Sequence, residues 1–272
     1  MEKNLKVYKS DKFGVVDPAS LSLFLYPKSA IVFLKDSNHS TIAIHSYQNF
    51  EESQLDKLLK FDILLKKNLP LKVYFHRSNF SLVPGILFQS GQEKSYLSFV
   101  KEQNEDDFFF STALDSNNIQ IVSSISASNS KVLKANFSEI SYHHGACSFL
   151  SYAFKERFNL IDQEILVNVF QGNLYAAAFS NQELTAFNIF ELEKEEDFVK
   201  YVRILIEQLK FNKIHVRITV YGTVEGLVFS QSWGNKYFRN YQTKKPHANQ
   251  NFASGLKNID QLGIIETSWQ FD

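Results

Sequence analysis

The segment His143-His144-Gly145-Ala146-Cys147-Ser148 sets the chain's single cysteine beside two adjacent imidazoles. At a strand-to-helix turn, a helix N-terminus lowers a thiol pKa and a neighbouring histidine can take the proton. Two imidazoles and a thiolate could also hold a metal. Adjacent residues on a strand point to opposite faces, however, so His143 and His144 need not converge. No second cysteine and no spaced Cys/His pattern accompanies them. The pattern therefore predicts a buried thiol and one hydrogen-bonded histidine, and no catalytic or metal-ligating residue is assigned.

Other chemical candidates reduce to structure in the same way. Glu191, Glu193, Glu195, Glu196 and Asp197 could coordinate a cation, but they sit where a helix dipole favours negative charge. Asn104 to Asp107 reads as an exposed acidic loop, and His215 with Arg217 as the polar face of a strand. Trp233, Tyr237, Phe238 and Tyr241 are interleaved with Lys236, Arg239, Lys244 and Lys245, a mixture able to stack single-stranded bases. The i, i+4, i+8 spacing of Trp233, Tyr237 and Tyr241 favours core packing instead.

The elements that must carry these residues are legible as apolar periodicity. Ile165–Phe170 and Leu174–Phe179 flank the turn Gln171-Gly172-Asn173, and a third strand follows from Leu184 to Phe190. Phe198, Tyr201, Val202, Leu205, Ile206 and Leu209 trace one helical face. Lys213–Tyr221 then alternates Ile214, Val216, Ile218 and Val220 as a half-buried strand. The first half repeats this order. Leu21–Tyr26, Ser29–Leu34 and Thr41–Ile44 supply three strands, Leu55, Leu58, Leu59 and Ile63 a helical face, and Leu71–Phe75 a fourth strand. The expected alignment pairs Ile31 with Ala176, Leu55 with Phe198 and Val73 with Val216.

Between the repeats, Ser81–Phe88 is an edge segment or a bend at the start of a short helix. Gln92–Glu102 reads as a helix with Tyr96, Phe99 and Val100 inward. Ile119–Ile125 and Glu139–His143 read as strands, and Lys131–Phe137 and Ala146–Phe158 as helices. The tail from Pro246 is either a last strand pinned on one lobe or a docking segment.

Composition bounds the function classes. The 272 residues carry 29 basic and 29 acidic side chains and a mean hydropathy of -0.21. No global field draws the chain to nucleic acid or to an anionic membrane. No uncharged apolar run reaches the roughly 20 residues that span a bilayer, and the first ten residues lack the apolar core of a signal peptide. One cysteine fits a reducing compartment. The expectations are a cytoplasmic location, no membrane insertion and no nucleic acid.

Two strand-strand-strand-helix-strand units, the first followed by inserted α/β material, resemble the duplicated ribonuclease H-like halves of the actin-like ATPase fold. Leu82-Val-Pro84, Val167–Asn173 and Phe187-Asn-Ile-Phe190 also resemble a bacterial domain-of-unknown-function family assigned to that fold. The resemblance implies an α/β chain of two similar lobes. The expected divisions are 1–160, with an insert at about 81–145, and 161–272.

Nucleotide-binding members of that superfamily carry an Asp-x-Gly turn in each half, where turn amides meet phosphate and a carboxylate helps hold hydrated metal. Here the first turn is Leu25-Tyr26-Pro27, and Pro27 has no amide donor. The second, Phe170-Gln171-Gly172, keeps the glycine but puts a phenyl ring in the carboxylate's place. The paired glycines of the adenosine motif are reduced to Gly222-Thr223. A ribonuclease H-type nuclease needs clustered carboxylates beginning on the first strand, and neither Leu21–Tyr26 nor Ile165–Phe170 has one.

These losses imply a degenerate nucleotide site, no cofactor, and a non-catalytic interaction or scaffold protein with a protein partner or a second copy of itself. The alternative is a divergent nucleotide-binding ATPase or kinase using Gly172, Asn173, Gly222 and Thr223.

Overall fold

A computed structural model describes residues 4–221 and 229–271. The chain forms two compact units, Met1–Cys147 with Gln250–Ile259, and Ser148–Asn249 with Asp260–Asp272.

In the first unit, β1 (Leu5–Lys9), β2 (Pro18–Tyr26), β3 (Ser29–Asp36) and β4 (Ser40–Gln48) precede α1 (Leu55–Phe61) and β5 (Leu71–Phe75). An insert follows: β6 (Phe80–Pro84), α2 (Glu93–Ser98), β7 (Phe108–Leu114) and β8 (Ile119–Ile125). Then come α3 (Ala127–Asn136) and β9 (Ile140–His144). The main sheet runs β1-β4-β3-β2-β5-β9, and the insert forms its own sheet, β6-β8-β7. Buried leucines and valines of β2, β3 and β5 pack against α1 and Leu133 of α3. Ser126 starts α3, its hydroxyl accepting from the Asn129 amide at 3.3 Å.

In the second unit, after α4 (Ala146–Glu156), come β10 (Gln163–Phe170), β11 (Asn173–Ser180), β12 (Glu183–Glu191), α5 (Glu195–Gln208) and β13 (Arg217–Tyr221). The short α6 (Gln231–Gly234) and β14 (Asn240–Lys244) complete the sheet β12-β11-β10-β13-β14. The acidic run opens α5: Asp197 accepts from the Glu193 and Lys194 amides, each at 3.1 Å. Phe198, Val202, Leu205 and Ile206 of α5 are buried on the sheet.

The duplication is visible in the hydrogen bonding. In each unit the first strand pairs antiparallel with the second and parallel with the fourth, while the third and fifth strands flank them. The hairpins close on Tyr26 with Ser29 and on Phe170 with Asn173. In both, the turn's second carbonyl is held by the chain just past the third strand. Phe50 N donates to Lys28 O at 3.1 Å, and Leu192 N to Gly172 O at 2.6 Å.

This register corrects the expected alignment. Leu23 faces Val32 and Val73, and its counterpart Val167 faces Ala176 and Val220. Ala176 therefore answers to Val32, and Val73 to Val220 rather than Val216. The cause is local: the Asn212 side chain accepts from the Ile214 amide at 2.9 Å, and its carbonyl from the His215 and Val216 amides. That turn delays β13 to Arg217 and leaves Ile214 exposed. Thr219 and Tyr221 are buried as well as Ile218 and Val220, so β13 is buried on both faces.

Three further expectations change. The helix at Gln92–Glu102 is only α2, whose inward residue is Leu97, and Phe99 and Val100 are exposed because the helix ends at Ser98. Ile63 lies beyond α1 and is exposed. Trp233 and Tyr241 do meet, with ring centroids 6.1 Å apart, but through a turn between α6 and β14 and not along one helix. In the tail, β15 (Asn251–Phe252) pairs parallel with β4, which is a strand pinned on the first sheet. Among the described residues no helix is long and apolar enough to cross a membrane.

Candidate functional site

In open α/β sheets, ligands bind beyond the carboxyl ends of the parallel strands. In the first unit those ends are Tyr26 of β2, His76 after β5 and Gly145 after β9. Backbone bonds extend the ladder past the strands, from His76 N to Leu25 O and from Gly145 N to Phe75 O, both at 2.8 Å. The side chains then close on one another. The Tyr26 and His76 rings stack with centroids 3.7 Å apart and an interplanar angle of 18°. A Cβ on Gly145 would fall 2.3 Å from the His76 ring, so only glycine lets the ring lie there. Burial, with His144 nearby, pushes the His76 pKa well down.

His144 is bound on both sides: Nε2 donates to Arg77 O at 2.8 Å, and Nδ1 accepts from the Ala146 amide at 3.2 Å. The backbone donor fixes the tautomer, with the proton on Nε2. Burial pushes His144 down to about 4. His143 instead faces Thr112 Oγ1 at 3.3 Å and Ser141 Oγ at 3.0 Å, and burial likewise brings it to about 4. Burial pushes the Cys147 thiol up to about 12. The two histidines serve separate bonds, and the thiol stays protonated at neutral pH. That arrangement suits packing and does not suit a nucleophile or a metal ligand.

In the second unit, Gln171 and Gly172 both take left-handed backbone, with φ of 47° and 73°. Two such residues make the type I′ turn that matches strand twist. Phe170 is buried, and Asn173 turns its amide back onto Gln171 O at 3.3 Å. Gly172 and Asn173 thus share one hairpin, whereas Gly222 and Thr223 lie outside the described residues.

Two buried carboxylates carry more polar chemistry than the residues singled out from sequence. Asp62 accepts from Tyr47 OH at 2.5 Å, His45 Nδ1 at 2.7 Å, and the Leu64 and Leu65 amides at 2.7 and 3.1 Å. Burial pushes its carboxyl up, but the His45, Tyr47 and Leu65 donors together hold it below its ordinary value. Glu164 accepts from Arg217 and Thr219, each at 2.5 Å, and from the Ile161 amide at 3.2 Å. β10 begins at Gln163, so the first strand of the second unit does carry a carboxylate, one residue before the run read from sequence. It stands alone with a guanidinium, and among the described residues no group of three or more His, Cys, Asp or Glu could hold a metal ion. The signal that could have found it is period-two alternation: Glu164, Leu166 and Asn168 face Arg217, Thr219 and Tyr221 in register.

Comparison with known proteins places this geometry. A Bacteroides thetaiotaomicron protein with actin-like ATPase fold and unknown function superposes with a TM-score of 0.75 at 17% identity, over 94% of this chain and 98% of that one. A chain of the PilM-PilN type IV pilus biogenesis complex superposes with a TM-score of 0.59 at 10% identity, over 90% and 93%. No curated protein matches the sequence. The fold is that of the actin-like ATPases, as the repeated strand order implied. The model of the family described as "Protein of unknown function (DUF3822)" matches residues 15–242, and the chain belongs to that family.

Proposed function

We propose that this is a non-catalytic interaction or scaffold protein that keeps the actin-like fold over a degenerate nucleotide site. The observation that carries the reading is the first hairpin. Where a phosphate turn needs a carboxylate and a free amide, Tyr26 is stacked on His76 and Pro27 offers no donor. The second hairpin adds Phe170, buried where the other carboxylate would stand. Each loss acts on the same phosphates and their metal. A chain of like fold standing in the PilM-PilN complex supports a role in assembly, and the partner here is another protein or a second copy. The single buried cysteine and the balanced charge favour a cytoplasmic setting.

The test is thermal unfolding with and without millimolar ATP or ADP and magnesium. A ligand at 100 times its dissociation constant adds about 2.7 kcal/mol. The expected result is no magnesium-dependent shift. A shift would replace this reading with a divergent ATPase or kinase built on Gly172, Asn173, Gly222 and Thr223.

A further inference from the structure

The insert of the first unit leaves large apolar side chains in solvent. Ile86 is 94% and Phe99 89% exposed, with Leu87 and Val100 also exposed. The fold does not need them there, because Leu97 already seats α2 against Val83 and Val122. The two apolar pairs lie on neighbouring segments. Tyr96 OH of α2 donates to Leu87 O at 2.8 Å and accepts from the Gln89 amide at 2.9 Å, and its ring stacks on Phe88. Large apolar side chains exposed on two neighbouring segments suit an interaction site.

The chain that continues from Val100 supplies the charge. Between Lys101 and Asp107 stand four carboxylates and one lysine. Gln103 anchors this loop to the insert: its amide donates to Lys101 O at 2.6 Å, and its Oε1 accepts from Ser124 Oγ at 3.2 Å and Asn79 Nδ2 at 3.3 Å. Glu102, Glu105 and Asp106 are left exposed on either side of that anchor. None of the three has an ion-pair partner among the described residues.

We propose that Ile86, Leu87, Phe99 and Val100, bordered by Glu102, Glu105 and Asp106, form a docking surface for an amphipathic protein segment whose apolar side is flanked by Lys or Arg. The proposal rests on the interaction reading above and names its surface and the partner's chemistry. Apolar anchors provide the affinity, and the acidic border selects the sign of the partner's charge. The same border repels the anionic headgroups of a bilayer.

The probe is a labelled helical peptide of leucine and lysine, with leucines at i, i+3, i+4 and i+7, followed by fluorescence anisotropy. Its control replaces every lysine by glutamate. The lysine peptide should bind, more weakly at high salt, and the glutamate peptide should not. Ile86→Ser with Phe99→Ser should weaken binding about tenfold or more. Glu102→Lys with Glu105→Lys and Asp106→Lys should reverse the preference between peptides. All these positions are exposed, so an unchanged unfolding midpoint checks that the variants fold. Equal binding of both peptides, indifference to both variants, or no binding overturns the proposal. Concentration-dependent self-association that Phe99→Ser abolishes would overturn it too, in favour of a second copy. A nucleotide response in the unfolding experiment would remove the non-catalytic reading but not this surface, whereas a silent peptide titration would remove only the surface.

Discussion

The two five-strand cores share one strand order and fill it with different polar chemistry. The first unit buries imidazoles: His45, His76 and His144 are nearly inaccessible, and His143 is held by Thr112 and Ser141. The histidines of the second unit, His215 and His247, are exposed. That unit instead buries the Glu164 carboxylate against a half-buried Arg217 and gathers Phe198, Phe229, Trp233 and Tyr241 into one aromatic cluster. The two units share the ladder and the apolar face under the helix. The remaining buried positions differ between the units, because different polar sets can sit on the same hydrogen-bonded backbone ladder.

The largest consequence is in acid. In an unfolded chain a histidine takes up its proton near pH 6.5, whereas His143 and His144 resist until about 4. Between those values the unfolded state binds more protons. The stability these two residues contribute is therefore complete above about pH 6.5 and falls as the pH drops toward 4, by up to about 1.4 kcal/mol per histidine per pH unit. Asp62, held below its ordinary value, adds a loss only at still lower pH. Both tryptophans, Trp233 and Trp269, belong to the second unit. Far-ultraviolet dichroism should fall on acidification before tryptophan fluorescence changes. Coincident transitions would show that the buried imidazoles do not set the two units apart.

The buried carboxylates give the next largest effect. Asp62→Ala strips the acceptor from Tyr47, His45 and two amides and should cost about 3–5 kcal/mol in urea unfolding. Glu164→Ala should cost less, about 2–3 kcal/mol, because the Arg217 side chain is 24% exposed and can turn to water. The reverse order would mean that the ion pair, and not the imidazole-carboxylate set, is the stiffer of the two solutions.

Much of the fold was legible because it is written in apolar periodicity. The hairpins β2–β3 and β10–β11 and the buried face of α5 follow from residues close in sequence. What failed depended on single polar contacts or on distant partners. The β13 register slipped because Asn212 folds its own side chain into the turn that follows. Phe99 looked like a core residue until Leu97 took the one inward place on α2. Glu164 falls just outside the apolar run Ile165–Phe170, and its partner, Arg217, lies 53 residues on. The His143–Cys147 cluster drew notice by residue type, and only burial and hydrogen bonding show how each group is used.

The hairpin turns offer the smallest effect and the closest test of the duplication, since they occupy matching places with opposite backbone needs. Gly172 has φ of 73°, and a Cβ there would lie 3.2 Å from Leu192 O, so Gly172→Ala should cost about 1–2 kcal/mol. Gly172→Asn should cost less, because asparagine tolerates the left-handed region. At the matching position Lys28 is outside that region, beside a proline that already fixes φ. There a glycine gains nothing and loosens the unfolded chain, so Lys28→Gly should destabilise by about 0.5–1 kcal/mol. A stabilising Lys28→Gly, matching the advantage of glycine over alanine at 172, would mean that the turns share a conformation. Opposite responses would mean that the two copies kept the ladder and the anchoring carbonyl while the turn between them changed type.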